Sequence, residues 1–366
     1  MKELKEIQEG NNHFSLSPKF SDLRNSLVNL IEGNGIKDHL VFLSSGTTSA
    51  NPKGYVISNE AMFLNAKAVN SHLCLNEEDR WGLTLPPFHV GGLSVYYRAS
   101  LLNHSPTLLY PWNPETLPGK ISDHNISIIS LVPTQIFDLV KLKIKAPKTL
   151  KYVLAGGDFL SSSLEEKAIS LGWPIVRTFG MSEVGSQIAT SIKIGEKKLK
   201  ILPIHELKAD EENRLWIKTP SLYSFEVQFI NEWILIPAHK SVDQDGYYPL
   251  PDRGSIREDF LTPLGRQDGK FKCSGLLIDY FDLKEKLETH MLRNGCWGKL
   301  DLSIKENERK SQILCLEHQN SVPFDIIEDF KKLIHPIKID EFLSVQSIER
   351  NELGKKMIHT TSIKNN

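Results

Sequence analysis

Five hydroxyls (Ser44, Ser45, Thr47, Thr48, Ser49), two glycines (Gly46, Gly54) and Lys53 crowd into one short stretch, L-S-S-G-T-T-S-A-N-P-K-G. An apolar, strand-like run over residues 39–43 leads directly into it. A loop of this make-up can turn backbone N–H groups, hydroxyls and an ammonium toward one anion, which is what a triphosphate requires. It is not the common nucleotide loop, because its lysine follows a proline and precedes a glycine instead of standing in G-K-[ST].

Other chemistry-bearing segments follow in order. L-P-P-F-H-V-G-G-L-S-V-Y-Y-R places His89 on a loop after a strand, before paired glycines, with Arg98 shortly beyond. V-L-A-G-G-D ends a strand in Gly156-Gly157, just before a helix. R-T-F-G-M-S-E-V-G-S-Q runs a strand into Gly180, with Ser182 and Glu183 side by side and Ser186 after them. There Phe179 could stack on a base, Ser182 could touch a phosphate and Glu183 could hold Mg²⁺. Asp252, in Y-P-L-P-D-R-G, suits two vicinal ribose hydroxyls, because a carboxylate accepts both protons. G-R-Q-D carries Arg266 and Asp268, and L-G-K-K near the C-terminus carries Lys355. Each has a plain structural explanation when taken singly: a satisfied histidine, a tight turn, a solvated carboxylate, a solvated basic tail.

The elements that must position these groups fall into three textures. Over residues 40–190, short apolar strands (40–43, 81–85, 107–110, 127–132, 152–155, 175–179) alternate with helical patterns. Such alternation argues for a largely parallel sheet covered by helices. The clearest helix is expected to start at Ser162, with Glu165 three residues on completing a capping box, and to end near Gly172. Residues 200–250 read as a smaller β-rich subdomain, with strands at 214–218 and 231–236. A break is expected at 263–269, where proline and glycines punctuate the chain. Beyond it, a strand (271–273), a helix (281–292), two strands flanking 305–310, a helix (323–333) and a strand (342–345) make a small α+β domain.

Bulk properties exclude several classes. The 366 residues carry 44 basic and 45 acidic side chains, for a net charge of −1, with no long run of like charge. That leaves no electrostatic footprint for nucleic acid or an anionic membrane. The longest apolar-rich stretches are strand-sized, too short to span a bilayer, and the first residues lack a signal-peptide core. The four cysteines show no C-x-x-C spacing, so neither zinc nor a disulfide framework is indicated. A cytoplasmic protein is the expectation. No G-x-G-x-x-G follows a strand, which excludes a nicotinamide dehydrogenase.

Together and in this order, the segments resemble the adenylate-forming superfamily of acyl-CoA synthetases, luciferases and peptide-synthetase adenylation domains, over residues 40–360. Within it the chain looks most like the o-succinylbenzoate–CoA ligases of menaquinone biosynthesis, on F-H-V-G-G-L-S-V-Y-Y-R, L-V-P-T-Q and F-G-M-S-E-V-G-S-Q-I-A-T. The resemblance implies an α/β large domain over 1–264, a hinge at 265–268 and a mobile α+β domain over 269–366. It implies ATP, Mg²⁺ and coenzyme A as co-substrates and cofactor, and a small carboxylic acid as the partner, with no membrane insertion. By the same resemblance Thr47, Thr48 and Lys53 meet the phosphates, Ser45 and Gly46 also bind ATP, Glu183 and Thr48 meet the Mg²⁺, and Ser182 the α-phosphate. Gly157 and Phe179 border the adenine, Gly180 also belongs to the ATP site, and Asp252 and Arg266 hold the ribose. His89, Gly156, Ser186 and Arg98 receive the acid, Arg98 taking the second carboxylate of o-succinylbenzoate. Lys355 and His89 join Glu183 as catalytic candidates, Asp268 is the pivot, and Lys272 and Gly275 serve the coenzyme A step. Another aryl- or acyl-CoA ligase of the superfamily, or a nucleotide-binding homologue that has lost catalysis, stays open beside this reading. The sequence departs from the family where Ser49-Ala-Asn51 replaces two middle residues of the loop, and in Asp158, where small or apolar residues are usual. A long segment preceding the loop is also missing, so one wall of the large domain is expected to be abbreviated.

Overall fold

The structure, a computed structural model, describes residues 11–43, 52–158, 160–266, 270–273, 276–307 and 311–348. Ser45, Gly46, Thr47, Thr48, Asp268, Gly275 and Lys355 lie outside the described residues, and Arg266 and Lys272 are described as backbone only.

In chain order, β1 (His13–Ser15) and α1 (Arg24–Gly33) precede the hairpin β2 (His39–Leu43) and β3 (Lys53–Ser58). Then come α2 (Asn59–His72), β4 (Trp81–Leu83), α3 (Val90–Ser100), β5 (Thr107–Leu108) and α4 (Leu117–Asp123). Next are β6 (Ile128–Leu131), α5 (Pro133–Lys141), β7 (Tyr152–Ala155), α6 (Ser162–Ser170), β8 (Ile175–Met181) and β9 (Ser186–Thr190). The strands β10 (Leu199–Ile201), β11 (Glu206–Ala209), β12 (Arg214–Lys218), β13 (Phe225–Phe229), β14 (Trp233–Pro237), β15 (Tyr248–Arg257) and β16 (Phe260–Arg266) follow. The last part holds β17 (Lys270–Cys273), β18 (Leu276–Asp279), α7 (Tyr280–Arg293), β19 (Leu300–Asn307), β20 (Ser311–Gln319), α8 (Phe324–Leu333) and β21 (Glu341–Val345).

Among the described residues, eleven strands form one sheet in the order β11-β12-β15-β16-β10-β9-β8-β7-β6-β4-β5. From β5 to β8 neighbouring strands are parallel, as βαβ connections require, and from β8 onward they are antiparallel. The region read from sequence as a small β-rich subdomain is therefore divided. β11, β12 and β15 extend the large sheet, while β13 and β14 join a second sheet ordered β1-β2-β3-β13-β14. The expected break at 263–269 does not start at Pro263, because β16 runs through it to Arg266, pairing Arg266 with Asp252; residues 267–269 lie outside the described residues.

The expected capping box is corrected as well. Ser161, not Ser162, caps α6, its side chain accepting from the Leu164 N–H. Glu165 is turned inward instead, 3 % exposed, where Arg177 on β8 donates to its Oε2 through Nε at 3.0 Å and Nη2 at 2.6 Å. A two-pronged guanidinium contact holds a buried carboxylate more firmly than a helix end would. Replacing Arg177 with Met leaves that carboxylate uncompensated and should cost about 3 kcal/mol of stability. A urea midpoint unchanged from wild type would show that the pair contributes nothing.

The small α+β unit packs α7 and α8 on β19, β20 and β21 around Leu287, Leu302, Leu316 and Phe330. It rests on the large sheet's helices. The Trp297 ring stacks on Phe137 of α5 at 4.6 Å and 12°, and Glu285 of α7 accepts the Ser162 N–H at 3.4 Å. Asp158, the residue unusual for the family, faces this same surface. Burial opposes the charge of Lys284, but Asp301, Tyr280, Asp158 and Glu288 hold its pKa above the ordinary value.

Candidate active site

The site is built where the parallel strands end. His89 follows β4, Gly156-Gly157 follows β7, and the 180–186 segment follows β8. Because these strands are parallel, their carboxyl ends share one edge of the sheet, the usual place for a ligand crevice in α/β folds.

Local sequence explains each placement. Pro86-Pro87 ends strand β4, and His89 takes the extended backbone at the N-cap of α3, its ring 4.9 Å from Phe88. The Gly156-Gly157 turn lies against Thr178, whose hydroxyl donates to the Ala155 carbonyl at 3.1 Å. After Phe179 the β8–β9 register shifts, and Gly180 passes so close to the Ser186 carbonyl that any Cβ would overlap it. Phe179 is half-buried against the Val184–Ile188 core cluster. Ser182–Val184 then form a single 3₁₀ turn, Gly185 adopts φ +75°, and Ser186 adopts φ +142°. L-residues rarely occupy that backbone, and such strain collects where a site needs it.

Two side chains on this turn have partners from other elements. The Tyr55 hydroxyl, from β3, donates to Glu183 Oε1 at 2.7 Å. Burial and the adjacent Glu183 carboxylate push the Tyr55 pKa far up, so it stays a donor at any working pH. Ser186 Oγ accepts from Arg98 Nη2 at 3.0 Å. Arg98 is only 1 % exposed and lies over Trp81, 5.3 Å from the ring centroid. Burial alone lowers its pKa, and among the described residues no carboxylate pairs with it. A buried guanidinium without a counter-ion is costly, so an anion arriving there would be strongly held.

Lys53 opens β3 beside the same cluster. Its Nζ is 2.8 Å from Glu226 Oε2, on the paired strand β13, and 5.7 Å from the Tyr55 ring. Tyr55 also meets Tyr223 at 5.1 Å between centroids, and Tyr223 meets Tyr248 edge-on at 5.6 Å. Asp252 is half-buried on β15, away from this cluster along the chain and opposite the Arg266 backbone.

Sequence reading missed Tyr55, Glu226, His205 and Asn65. Tyr55 was legible, since alternation along a strand puts residues 53 and 55 on one face. Glu226 and His205 gave no local signal, because strand pairing and a distant turn bring them in.

The donor set fits a hard cation. Glu183 offers carboxylate oxygen, and Mg²⁺ commonly takes one or two carboxylates with phosphate oxygens supplying the rest. Among the described residues no group of three or more His, Cys, Asp or Glu could hold a metal by itself. Tyr55→Phe removes a hydrogen bond to a charged group, worth about 1.5–3 kcal/mol. It should therefore lower kcat/KM for MgATP about tenfold or more and leave KM for the acid unchanged. Identical kinetics in Tyr55→Phe would remove Tyr55 from the site.

Residues 37–209 match the family model described as AMP-binding enzyme. The 2-succinylbenzoate–CoA ligase of Bacillus pumilus is 26 % identical over 307 residues, covering 76 % of this chain and 62 % of the relative. That of Bacillus licheniformis is 29 % identical over 278 residues, covering 72 % and 57 %. The chain thus spans about three-fifths of the length of these curated relatives. Among solved structures, the o-succinylbenzoate coenzyme A synthetase of Bacillus subtilis in complex with AMP superposes with a TM-score of 0.71 at 21 % identity, covering 89 % of this chain and 69 % of that one. The same synthetase with ATP and magnesium ion gives 0.70 at 22 % identity, covering 86 % and 68 %. Among the described residues no helix is long and apolar enough to cross a membrane. Residues 37–209 thus match the AMP-binding enzyme model, and the chain has the fold of these synthetase structures.

Proposed function

We propose that the chain is an ATP-dependent acid–CoA ligase that makes o-succinylbenzoyl-CoA, a step of menaquinone biosynthesis, through an acyl adenylate. The observation that carries this reading is the 182–186 turn. It holds a carboxylate oriented by Tyr55 and, on Ser186, the hydroxyl that meets a buried Arg98 with which no carboxylate among the described residues pairs. A metal–phosphate group and the acid's second carboxylate would therefore be received by neighbouring residues of one turn. The acid's reacting carboxylate would lie between them.

In the first step a carboxylate oxygen attacks the α-phosphorus, the bond to the β-phosphate oxygen breaks, and pyrophosphate leaves. In the second the coenzyme A thiolate attacks the acyl carbon and AMP departs. Such chemistry depends on positioning and charge neutralisation more than on proton transfer. Ser45, Gly46, Thr47, Thr48 and Lys53 take the phosphates, Lys53 exchanging Glu226 for phosphate oxygens. Ser182 takes the α-phosphate, and Glu183 with Thr48 would hold Mg²⁺, which when bound neutralises phosphate charge. Gly157, Phe179 and Gly180 border the adenine, and Asp252 with Arg266 holds the ribose. His89, Gly156 and Ser186 line the acid's place, with Arg98 on its second carboxylate. Lys355 supplies a cation to the first step. The unit from 269 onward then turns about Asp268, bringing Lys272 and Gly275 to the second step.

Pyrophosphate release, measured with ATP, Mg²⁺ and a panel of aryl, fatty and dicarboxylic acids, tests the reading. Release driven by o-succinylbenzoate above all others is expected. Release driven by a different acid makes the chain another ligase of the superfamily, and ATP binding without pyrophosphate exchange for any acid makes it a nucleotide binder.

A further inference from the structure

Helix α2 carries polar residues where its packing would take apolar ones. Asn65 is 1 % exposed and Asn70 6 %. Asn70 Nδ2 donates to the Arg98 carbonyl at 2.8 Å, tying the backbone of Arg98 to this helix. Asn65 Nδ2 donates to two carbonyls, Gln187 at 2.8 Å and Val184 at 3.3 Å. Those carbonyls flank Gly185 and Ser186, so one amide bridges the strained turn from behind. Each carbonyl also has a second donor: His205 Nε2 reaches Gln187 at 3.0 Å, and Ser221 Oγ reaches Val184 at 3.0 Å. His205 Nδ1 in turn meets the Thr219 hydroxyl at 2.9 Å. Burial lowers its pKa to about 4, which keeps the ring neutral, with Nε2 protonated toward the carbonyl.

A buried carbonyl with both lone pairs filled is fixed in direction, and fixing two of them fixes the φ of +142° at Ser186 between them. Ser186 Oγ is what Arg98 donates to at 3.0 Å. One helix therefore grips both members of the Arg98–Ser186 pair, the first by its carbonyl and the second by its flanks.

We infer that Asn65 is a positioning residue for acid selectivity: by bridging the Val184 and Gln187 carbonyls it keeps the Ser186 hydroxyl on Arg98 and so aims the guanidinium. This rests on the proposed role of Arg98 toward the second carboxylate of the acid. A guanidinium recognises a carboxylate through a planar fork, so its direction decides how well it separates a dicarboxylic acid from an analogue with only one carboxylate. Without Asn65 each carbonyl still has one donor. The turn then folds but is free to relax.

Asn65→Leu keeps the branch at Cγ and removes both N–H donors, and Asn65→Ala serves if the larger leucine variant does not fold. Two measurements apply to the full chain. Hydrogen exchange at the 185–188 amides is expected to accelerate in the variant, while that of β6 and β7 is unchanged. Equal protection of 185–188 overturns the inference whatever the substrate. The ratio of kcat/KM for o-succinylbenzoate to that for 4-oxo-4-phenylbutyrate, which lacks the ring carboxylate, is expected to fall at least tenfold, with KM for ATP within about twofold (order of magnitude for a misaimed charged contact). Retained selectivity, or an equal change in KM for ATP, overturns the inference alone. A wild type that does not prefer the second carboxylate contradicts the Arg98 assignment and overturns both.

Discussion

Replacing Lys355 with alanine is expected to slow adenylate formation about a hundred- to thousand-fold, as loss of a preorganised electrostatic contact worth about 3–4 kcal/mol does. Thioester formation from preformed adenylate should stay near the wild-type rate. The reason is charge. A carboxylate approaching a triphosphate brings two anions together, and a cation that touches both at once is worth most while the new bond forms. Once pyrophosphate has left, the acyl adenylate carries less charge and the thiolate attacks carbon, not phosphorus. Lys355 stands in L-G-K-K, outside the described residues, and its assignment comes from the resemblance to the superfamily. Pyrophosphate release measures the first half-reaction, and single-turnover conversion of synthetic adenylate measures the second. If both fall together, the lysine supports the fold or the binding of adenosine and has no special part in the first step.

Arg98→Leu should raise KM for o-succinylbenzoate about a hundred-fold, since truncating one partner of a buried charge pair costs about 2–5 kcal/mol. KM for ATP should move no more than about twofold, because Arg98 is not among the residues proposed to hold the nucleotide and effects at separate sites are independent. The free protein is expected to respond in the opposite sense. In it the guanidinium is 1 % exposed, has Ser186 and the Trp81 ring for company, and carries no counter-ion among the described residues. Removing an uncompensated buried charge for an apolar side chain of similar reach is often stabilising, by about 1–4 kcal/mol. The unliganded variant should therefore melt at or above the wild type, and o-succinylbenzoate should no longer raise its melting temperature. Equal KM changes for acid and ATP, or a large loss of stability without ligand, would give Arg98 a purely structural role.

The parts of this molecule that depend on local pattern were legible in its sequence. Strand 152–155 and the helices at 281–292 and 323–333 match described elements to within a residue or so, because apolar periodicity and terminal signals lie within each segment. Local pattern and structure part where a long-range partner prevails over a local one. Glu165 could have closed a capping box but pairs with Arg177 on the neighbouring strand, and the cap falls to Ser161. Residues 225–237 share the texture of the strands around them, yet they pair with β3, because the edge of the hairpin that leads from the hydroxyl-rich loop is open to them.

The candidate site divides the same way. The turn residues Gly156, Gly157, Gly180, Ser182, Glu183 and Ser186 could be singled out because glycines and hydroxyls at strand ends announce themselves. What positions them could not. The partnership of Tyr55 with Glu183, of Glu226 with Lys53, and of Asn65 and His205 with the carbonyls around Ser186 spans large separations in sequence. Only folding brings those pairs together. The surface that Asp158 faces, with Lys284, Glu285 and Trp297, is of that kind too, and it gives a physical setting to a residue that departs from the family pattern.

The most direct measurement is mass spectrometry of the purified protein quenched after one turnover with ATP, Mg²⁺ and o-succinylbenzoate in the absence of coenzyme A. o-Succinylbenzoyl adenylate should accumulate in amounts comparable to enzyme, then vanish when coenzyme A is added, with thioester and AMP appearing together. Formation of ADP and an acyl phosphate, or of no adenylate at all from this acid, would contradict it.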